Sequence, residues 1–255
     1  MQVVVNERFL GRRALISRVA TWGGMAVLVL GFGISLAIEF LAGWLDRQIT
    51  YALTWIMMIG GISAFNTGRF YSVRWVMRPR EDEILANHLS QPRTRNKGGV
   101  FYVGLSDRFR LFNYLPQLPQ VMHFLVGPAG IYVLHVRRQD GEIINDGDKW
   151  RRKLGITAVL RSLFEGSFGN PSQDAQKEVA AVRKALAAEF SDEELNKLPC
   201  QPLIIFMDSR VKLTIKNPSV PVLMNDEVWP FFRKLQREAR LNPGQLERIS
   251  AALGV

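Results

Sequence analysis

The sequence predicts an α/β domain built on one mixed sheet, preceded by a two-helix transmembrane hairpin. Three observations lead there. The first 75 residues are far more hydrophobic than the rest. Within them lie two apolar runs, each of the roughly 20 residues that a helix needs to cross a bilayer. Beyond Pro79, short apolar runs bounded by turn residues alternate with stretches of helical periodicity, the pattern of strands and helices folded into one layered domain. The expected organisation is a basic N-terminal segment over 1–18, a hairpin over 19–73 and an α/β domain over 80–255.

The first run, Val19 to Leu45, has Glu39 as its only ionisable residue. Trp22 and Trp44 stand near its ends, where amphipathic rings favour the headgroup layer. The second, Ile49 to Tyr71, carries no charge before Arg69, and Asp46, Arg47 and Gln48 connect the two. A cleaved signal peptide is argued against by the length of the first run and by the second span that follows it. Arg12, Arg13 and Arg18 precede the hairpin, and Arg69, Arg74, Arg78 and Arg80 follow it. Only Arg47 lies between, so both termini are expected to be cytoplasmic. Gly60 and Gly61 suit close helix packing, although glycine is common in membrane helices in any case.

The soluble part opens with a helix over Arg80 to Gln91, acidic in its first turn, with Ile84, Leu85 and Leu89 on one stripe. A basic loop, "PRTRNKGG", follows. Val100 to Leu105 and Phe109 to Leu115 read as strands. "QVMHFLVGPAGIYVLHVRR" reads as two strands about a turn at Gly127-Pro128-Ala129-Gly130. "GEIIND" and "GDKWRRK" give a further strand and turn. Val179, Val182, Leu186 and Phe190 recur at helical spacing after Asn170. Cys200 to Asp208 is a buried strand by its continuous apolar character, and Val220 to Met224 another. Two helices close the chain, with Asn225 and Asn242 as candidate caps.

The chain has 255 residues and a formal net charge of +10, which favours contact with phosphate in nucleic acid or anionic lipid. Basic flanks that set membrane topology would account for the same excess. One cysteine, Cys200, excludes a disulfide framework or a cysteine-based zinc site within the chain. There is no Walker loop, no G-x-G-x-x-G and no G-x-S-x-G. His123 and His135 fall on neighbouring predicted strands, and whether they meet depends on a register the sequence does not fix.

"VMHFLVGPAGIYVLHVRRQDGEIINDGDKW", with "NPSQDAQKEVAAV" downstream, resembles the nuclease-related domain (NERD), over roughly Arg80 to Val255. The scaffold motifs agree. Gly127, Pro128 and Gly130 fit the turn between two strands, and Gly141 and Trp150 fit the later turn and its Trp. Asn170, Pro171 and Gln173 fit the opening of the next helix. The resemblance implies a restriction-endonuclease-like fold. It also implies a site in which an Asp and a Glu hold Mg²⁺ and a Lys positions or activates the attacking water. Those three positions fall on Met122, His135 and Arg137. A thioether and an imidazole are poor ligands for a hard cation, and Arg keeps charge without serving as a base. Glu81 or Glu83 would match the family's helical acid. Glu142, Asp146 and Asp148 are the acids that could replace the lost ligands.

The expectation is therefore a membrane-anchored domain without catalytic residues, needing no cofactor, that binds nucleic acid or a protein partner. His135, Arg137 and Arg138 are the first candidates for a phosphate contact. Two alternatives stand beside it. One is an active nuclease with relocated ligands, which would need Mg²⁺. The other is a structural membrane protein that docks a partner and turns its arginines to anionic lipid.

Overall fold

The computed structural model describes the chain apart from residues 42–46, 91–92, 97–98, 103, 154–167, 237, 239 and 254–255. The expected connection at Asp46 falls partly outside the described residues, and nothing is described of the Glu39 and Trp44 side chains. The chain divides into two compact units, Glu7–Arg80 on one hand and Met1–Asn6 with Glu81–Val255 on the other.

The first unit is a helical hairpin of α1 (Glu7–Leu41) and α2 (Arg47–Tyr71), followed by a π-helical turn over Ser72–Val76. Both helices are long and apolar enough to cross a membrane by length and composition. Trp22, Val29, Leu30, Phe32, Trp55, Ile56 and Ile59 are exposed along them. The contact between the helices is made by glycine. A Cβ on Gly24 would lie 2.5 Å from the Phe65 nitrogen, and one on Gly61 would meet Leu28 at 2.8 Å. One on Gly68 would overlap the Thr21 backbone. The Ser17 hydroxyl donates to the Gly68 carbonyl at 3.0 Å in the same seam. Gly60 has open space. Of the sequence pair, only Gly61 has a packing role. Gly68→Leu is expected to cost about 1–3 kcal/mol by forcing the helices apart. Gly60→Leu should leave the thermal transition in detergent unchanged, and the two melts measured side by side check the assignment.

At the open end of the hairpin the Arg13 guanidinium lies 5.0 Å from the Phe9 ring centroid and 5.3 Å from that of Tyr71, and donates to the Tyr71 hydroxyl at 2.9 Å.

The second unit is the α/β domain. Its main sheet has six strands in the order β1-β4-β5-β6-β9-β11, with β1 at Gln2–Val5, β4 at Arg110–Asn113, β5 at His123–Gly127, β6 at Gly130–Arg137, β9 at Cys200–Phe206 and β11 at Val222–Met224. β4, β5 and β6 run antiparallel in sequence, while β1 is parallel to β4, and β9 is parallel to both β6 and β11. The mixed sheet is as expected. Its first strand is not: residues 1–18 do not form one segment, because Gln2–Val5 joins the domain sheet and α1 begins at Glu7. The run "QVVV" is too short and too close to charged residues to announce itself, and it is a strand because the β4 edge offers it a ladder.

A second sheet, β10-β7-β8, uses Lys212–Lys216, Glu142–Asp146 and Lys149–Lys153, and a two-stranded ribbon pairs β2 (Arg93–Asn96) with β3 (Gly99–Tyr102). The stretch read as a basic loop thus supplies a strand. The helices are α3 (Glu81–Ser90), α4 (Pro171–Leu186), α5 (Asp192–Lys197), α6 (Val228–Leu235) and α7 (Pro243–Ala252). Asn170 and Asn242 cap α4 and α7 as expected. Asn225 does not cap α6; it lies in a 3₁₀ turn and its side chain bonds His88 at 2.8 Å.

Side chains alternate across the main sheet, which places its two cores. Phe112, Phe124, Val126, Ile131 and Val133 meet Val182 and Leu186 of α4 and Ile249 of α7 on one face. Leu111, Leu125, Tyr132, Leu134, Leu203 and Ile205 meet Leu85 and Leu89 of α3 and Phe232 of α6 on the other. α3 and α4 therefore cover opposite faces, and each strand end presents its residues to one helix or the other.

Candidate functional site

The turn between β5 and β6 is built by its glycines. A Cβ on Gly127 would overlap the Phe109 ring, and Gly130 has φ 134° with the Pro199 carbonyl 2.5 Å from where its Cβ would stand. β6 then runs through the core and emerges at His135. His135 shares a face with Val133, so it meets α4. The α4 row Asp174, Glu178, Val182, Leu186 has i,i+4 spacing and one face. Val182 and Leu186 enter the core and the two acids extend the row to the strand end.

The result is two ion pairs. His135 Nδ1 lies 2.8 Å from Glu178 Oε1, with the two side chains 12% and 13% exposed. Arg137 donates to Asp174 Oδ2 at 3.1 Å. Its guanidinium also lies 5.9 Å from the Phe168 ring centroid. The expected arrangement is inverted: an imidazole and a guanidinium stand on the strand, carboxylates on the helix, and each basic group meets an acid. His135 Nε2 and Glu178 Oε2 are buried without hydrogen-bond partners among the described residues. Extending the β5–β6 register past Phe124↔Val133 sets Met122 opposite His135, and its carbonyl accepts from the Tyr114 N–H at 2.9 Å. A thioether, an engaged imidazole and a guanidinium do not fit Mg²⁺, which takes oxygen ligands.

The acids of α3 go elsewhere. His123 is fully buried on the α3 face, its Nδ1 2.7 Å from Asn113 Oδ1 and its Nε2 3.8 Å from Glu81 Oε2. Tyr114 donates to buried Asp82 at 3.2 Å beside them. Glu83 lies half-buried in the same first turn. His123 and His135 stand on opposite faces of the sheet, so the register rules out a shared metal. The acids considered as replacements do not converge either. Glu142 and Asp146 stand at opposite ends of β7, about 13 Å apart at the rise of a strand. Glu142 pairs with Lys153 at 3.1 Å, and Asp148 accepts from Ser219. Among the described residues, no three His, Cys, Asp or Glu side chains group as a metal site would need.

Arg138 differs from its neighbours. It is exposed and points away from the α4 pairs by strand alternation. With Ile84, Met207, Asp208, Ser209 and Arg210 it lines a pocket of about 290 Å³. The pocket lies past the C-terminal ends of the parallel strands β6 and β9, where open α/β sheets commonly bind ligands. Arg210 is held there by both Asp208 oxygens, at 2.9 and 2.6 Å. Cys200 is buried, and burial pushes its thiol up to about 11.

The scaffold motifs have structural work. Asn170 Oδ1 accepts from the Gln173 N–H at 3.2 Å, and Asn170 Nδ2 donates to the Asp148 carbonyl at 2.9 Å. Trp150 Nε1 donates to Ser172 at 2.8 Å, and Gly141 has φ 103°. Asp174, Glu178 and Asp82 are the residues of the candidate site that motif reading passed over. The 174/178/182/186 row was the signal for the first two.

A buried β-hairpin leading into a mixed sheet, with a parallel crossover strand and helices on both faces, defines a restriction-endonuclease-like α/β domain. Residues 83–207 match the family model of the nuclease-related domain, and the chain carries such a domain. No curated protein and no solved structure matches the chain.

Proposed function

We propose that the chain is a membrane-anchored nuclease-related protein whose domain does not cleave, and instead binds nucleic acid or a protein partner in the cytoplasm. The observation that carries this reading is the pair of salt bridges, His135–Glu178 and Arg137–Asp174, standing where a metal-binding acid and a lysine would be needed. On that strand His135 and Arg137 are both engaged by acids of α4. Arg138 remains the candidate for a phosphate contact, with His135 and Arg137 supporting the strand end behind it.

The anchor reading rests on the exposed apolar length of α1 and α2. Because β1 precedes the hairpin and shares a sheet with strands that follow it, a hairpin that spans a bilayer returns both its ends to one side. The excess of arginine at those ends argues that this side is the cytoplasm. The active-nuclease alternative is disfavoured by the separation of Glu142 from Asp146.

Purified full-length protein is expected to leave DNA and RNA intact with millimolar Mg²⁺ or Mn²⁺, and its thermal transition should not move with either ion. Metal-dependent cutting that disappears in Glu142→Gln or Asp146→Asn would overturn the reading. Membranes washed at alkaline pH should retain the chain; its release would remove the anchor.

A further inference from the structure

We infer that the outer face of the β10-β7-β8 sheet is a docking surface for anionic phospholipid. The inference rests on the anchor reading for its access to a bilayer, and on the sheet itself for its chemistry.

The register fixes what this face presents. Lys212, Glu142 and Lys153 form one cross-strand row, Thr214, Ile144 and Arg151 the next, and Lys216, Asp146 and Lys149 the third. All nine point the same way, because side chains alternate along each strand. The opposite face carries Ile143, Leu213 and Trp150, which pack with Phe206 of β9 and Ala175 of α4. The outer face is therefore held rigidly outward. Its five cations outnumber its two carboxylates by three, and both carboxylates are on the central strand with a lysine on either side. Lys149, Arg151, Lys153, Lys212 and Lys216 are all exposed. Of the five, only Lys153 is in an ion pair among the described residues, with Glu142 at 3.1 Å.

Two features favour lipid over nucleic acid. None of the nine residues is aromatic, so the described face lacks the stacking platform that binds single strands. It is a flat patch of about 10 by 13 Å with no helix or ribbon to enter a groove. Its centre is Ile144, between Thr214 and Arg151, and its corners are four lysines. A central Ile144 inside a rim of net positive charge matches a headgroup layer above acyl chains. A depression of about 220 Å³ lined by Ile144, Asp146, Lys149 and Arg151 offers space for one headgroup.

The test uses the full-length chain in nanodiscs of phosphatidylcholine alone or with added phosphatidylserine. Thr214→Cys, labelled with an environment-sensitive dye, reports from the middle of the face; the native chain, whose Cys200 is buried, gives the labelling background. The dye should shift to the blue and be shielded from an aqueous quencher in phosphatidylserine discs only, and high salt should reverse both effects. Each basic residue near an anionic surface is worth about fivefold in partitioning, so Lys149→Glu, Arg151→Glu, Lys212→Glu and Lys216→Glu combined should abolish the response. Equal signals in the two disc types, or a response that survives the four substitutions, overturns the inference. So does a salt-sensitive shift produced by a single-stranded oligonucleotide but not by phosphatidylserine. If alkaline washing releases the chain, the anchor reading fails by itself, and flotation decides the surface. Binding to phosphatidylserine vesicles and not to phosphatidylcholine vesicles would uphold it, and binding to neither would overturn it.

Discussion

His135→Glu, the substitution that would restore the family's acid, is expected to destabilise the α/β domain by about 3 kcal/mol and to create no metal site. The new carboxylate would face Glu178 in a position where both side chains are nearly enclosed, 12% and 13% exposed. Two carboxylates there lose the existing attraction and add repulsion, and one must take up a proton to relieve it. Adding Glu178→Gln removes the repulsion and should recover about half of the loss, because an amide can still hydrogen-bond the introduced acid. Adding Arg137→Lys recovers nothing, since Asp174 pairs with either cation. Urea denaturation followed by tryptophan fluorescence measures each variant, and a thermal shift with Mn²⁺ tests for metal. A triple variant that binds Mn²⁺ and cuts DNA would overturn the expectation that these substitutions create no metal site.

Gly130→Val carries the second large effect, a loss of about 3–5 kcal/mol. At φ 134° a β-branched residue is strained, and its Cβ would stand 2.5 Å from the Pro199 carbonyl. That carbonyl accepts from the Ile131 N–H at 2.8 Å, so the clash falls on the joint between β6 and the start of β9. Gly147 gives the contrast: φ is 59° and no atom lies within 4 Å. Gly147→Asn should cost under about 1 kcal/mol, since asparagine tolerates the left-handed region. The same denaturation curves compare the two. Equal losses would remove the steric account.

The sequence announced the features with strong local signals. Continuous apolar runs marked β5, β6 and β9, and Asn-Pro openings marked α4 and α7, because burial and capping are short-range demands on residue type. It was silent where the partner decides. β1 and β10 are strands because an edge was waiting for them, and "KLTIK" alternates too briefly to stand out. At the candidate site, motif reading singled out Met122, His135 and Arg137, residue types that Mg²⁺ does not favour. It passed over Asp174 and Glu178 because an acid 37 or 43 residues away meets its partner only through the crossover. The faces of the sheet also had to be seen: they sent Glu81 to His123 rather than to His135.

β1 has a consequence for the order of assembly. Gln2 pairs with Arg110, so 110 − 2 = 108 residues separate the partners. At about 5–20 residues per second, ribosomes deliver β4 about 5–20 s after β1. Throughout that interval the first strand has no ladder, and the two apolar helices leave the ribosome while it waits. The sheet closes at that edge only when a chain end made first is matched by a strand made much later. β1 therefore completes the sheet late: it can pair only after α1, α2 and β4 have all been made, so whatever delays the hairpin delays the sixth strand.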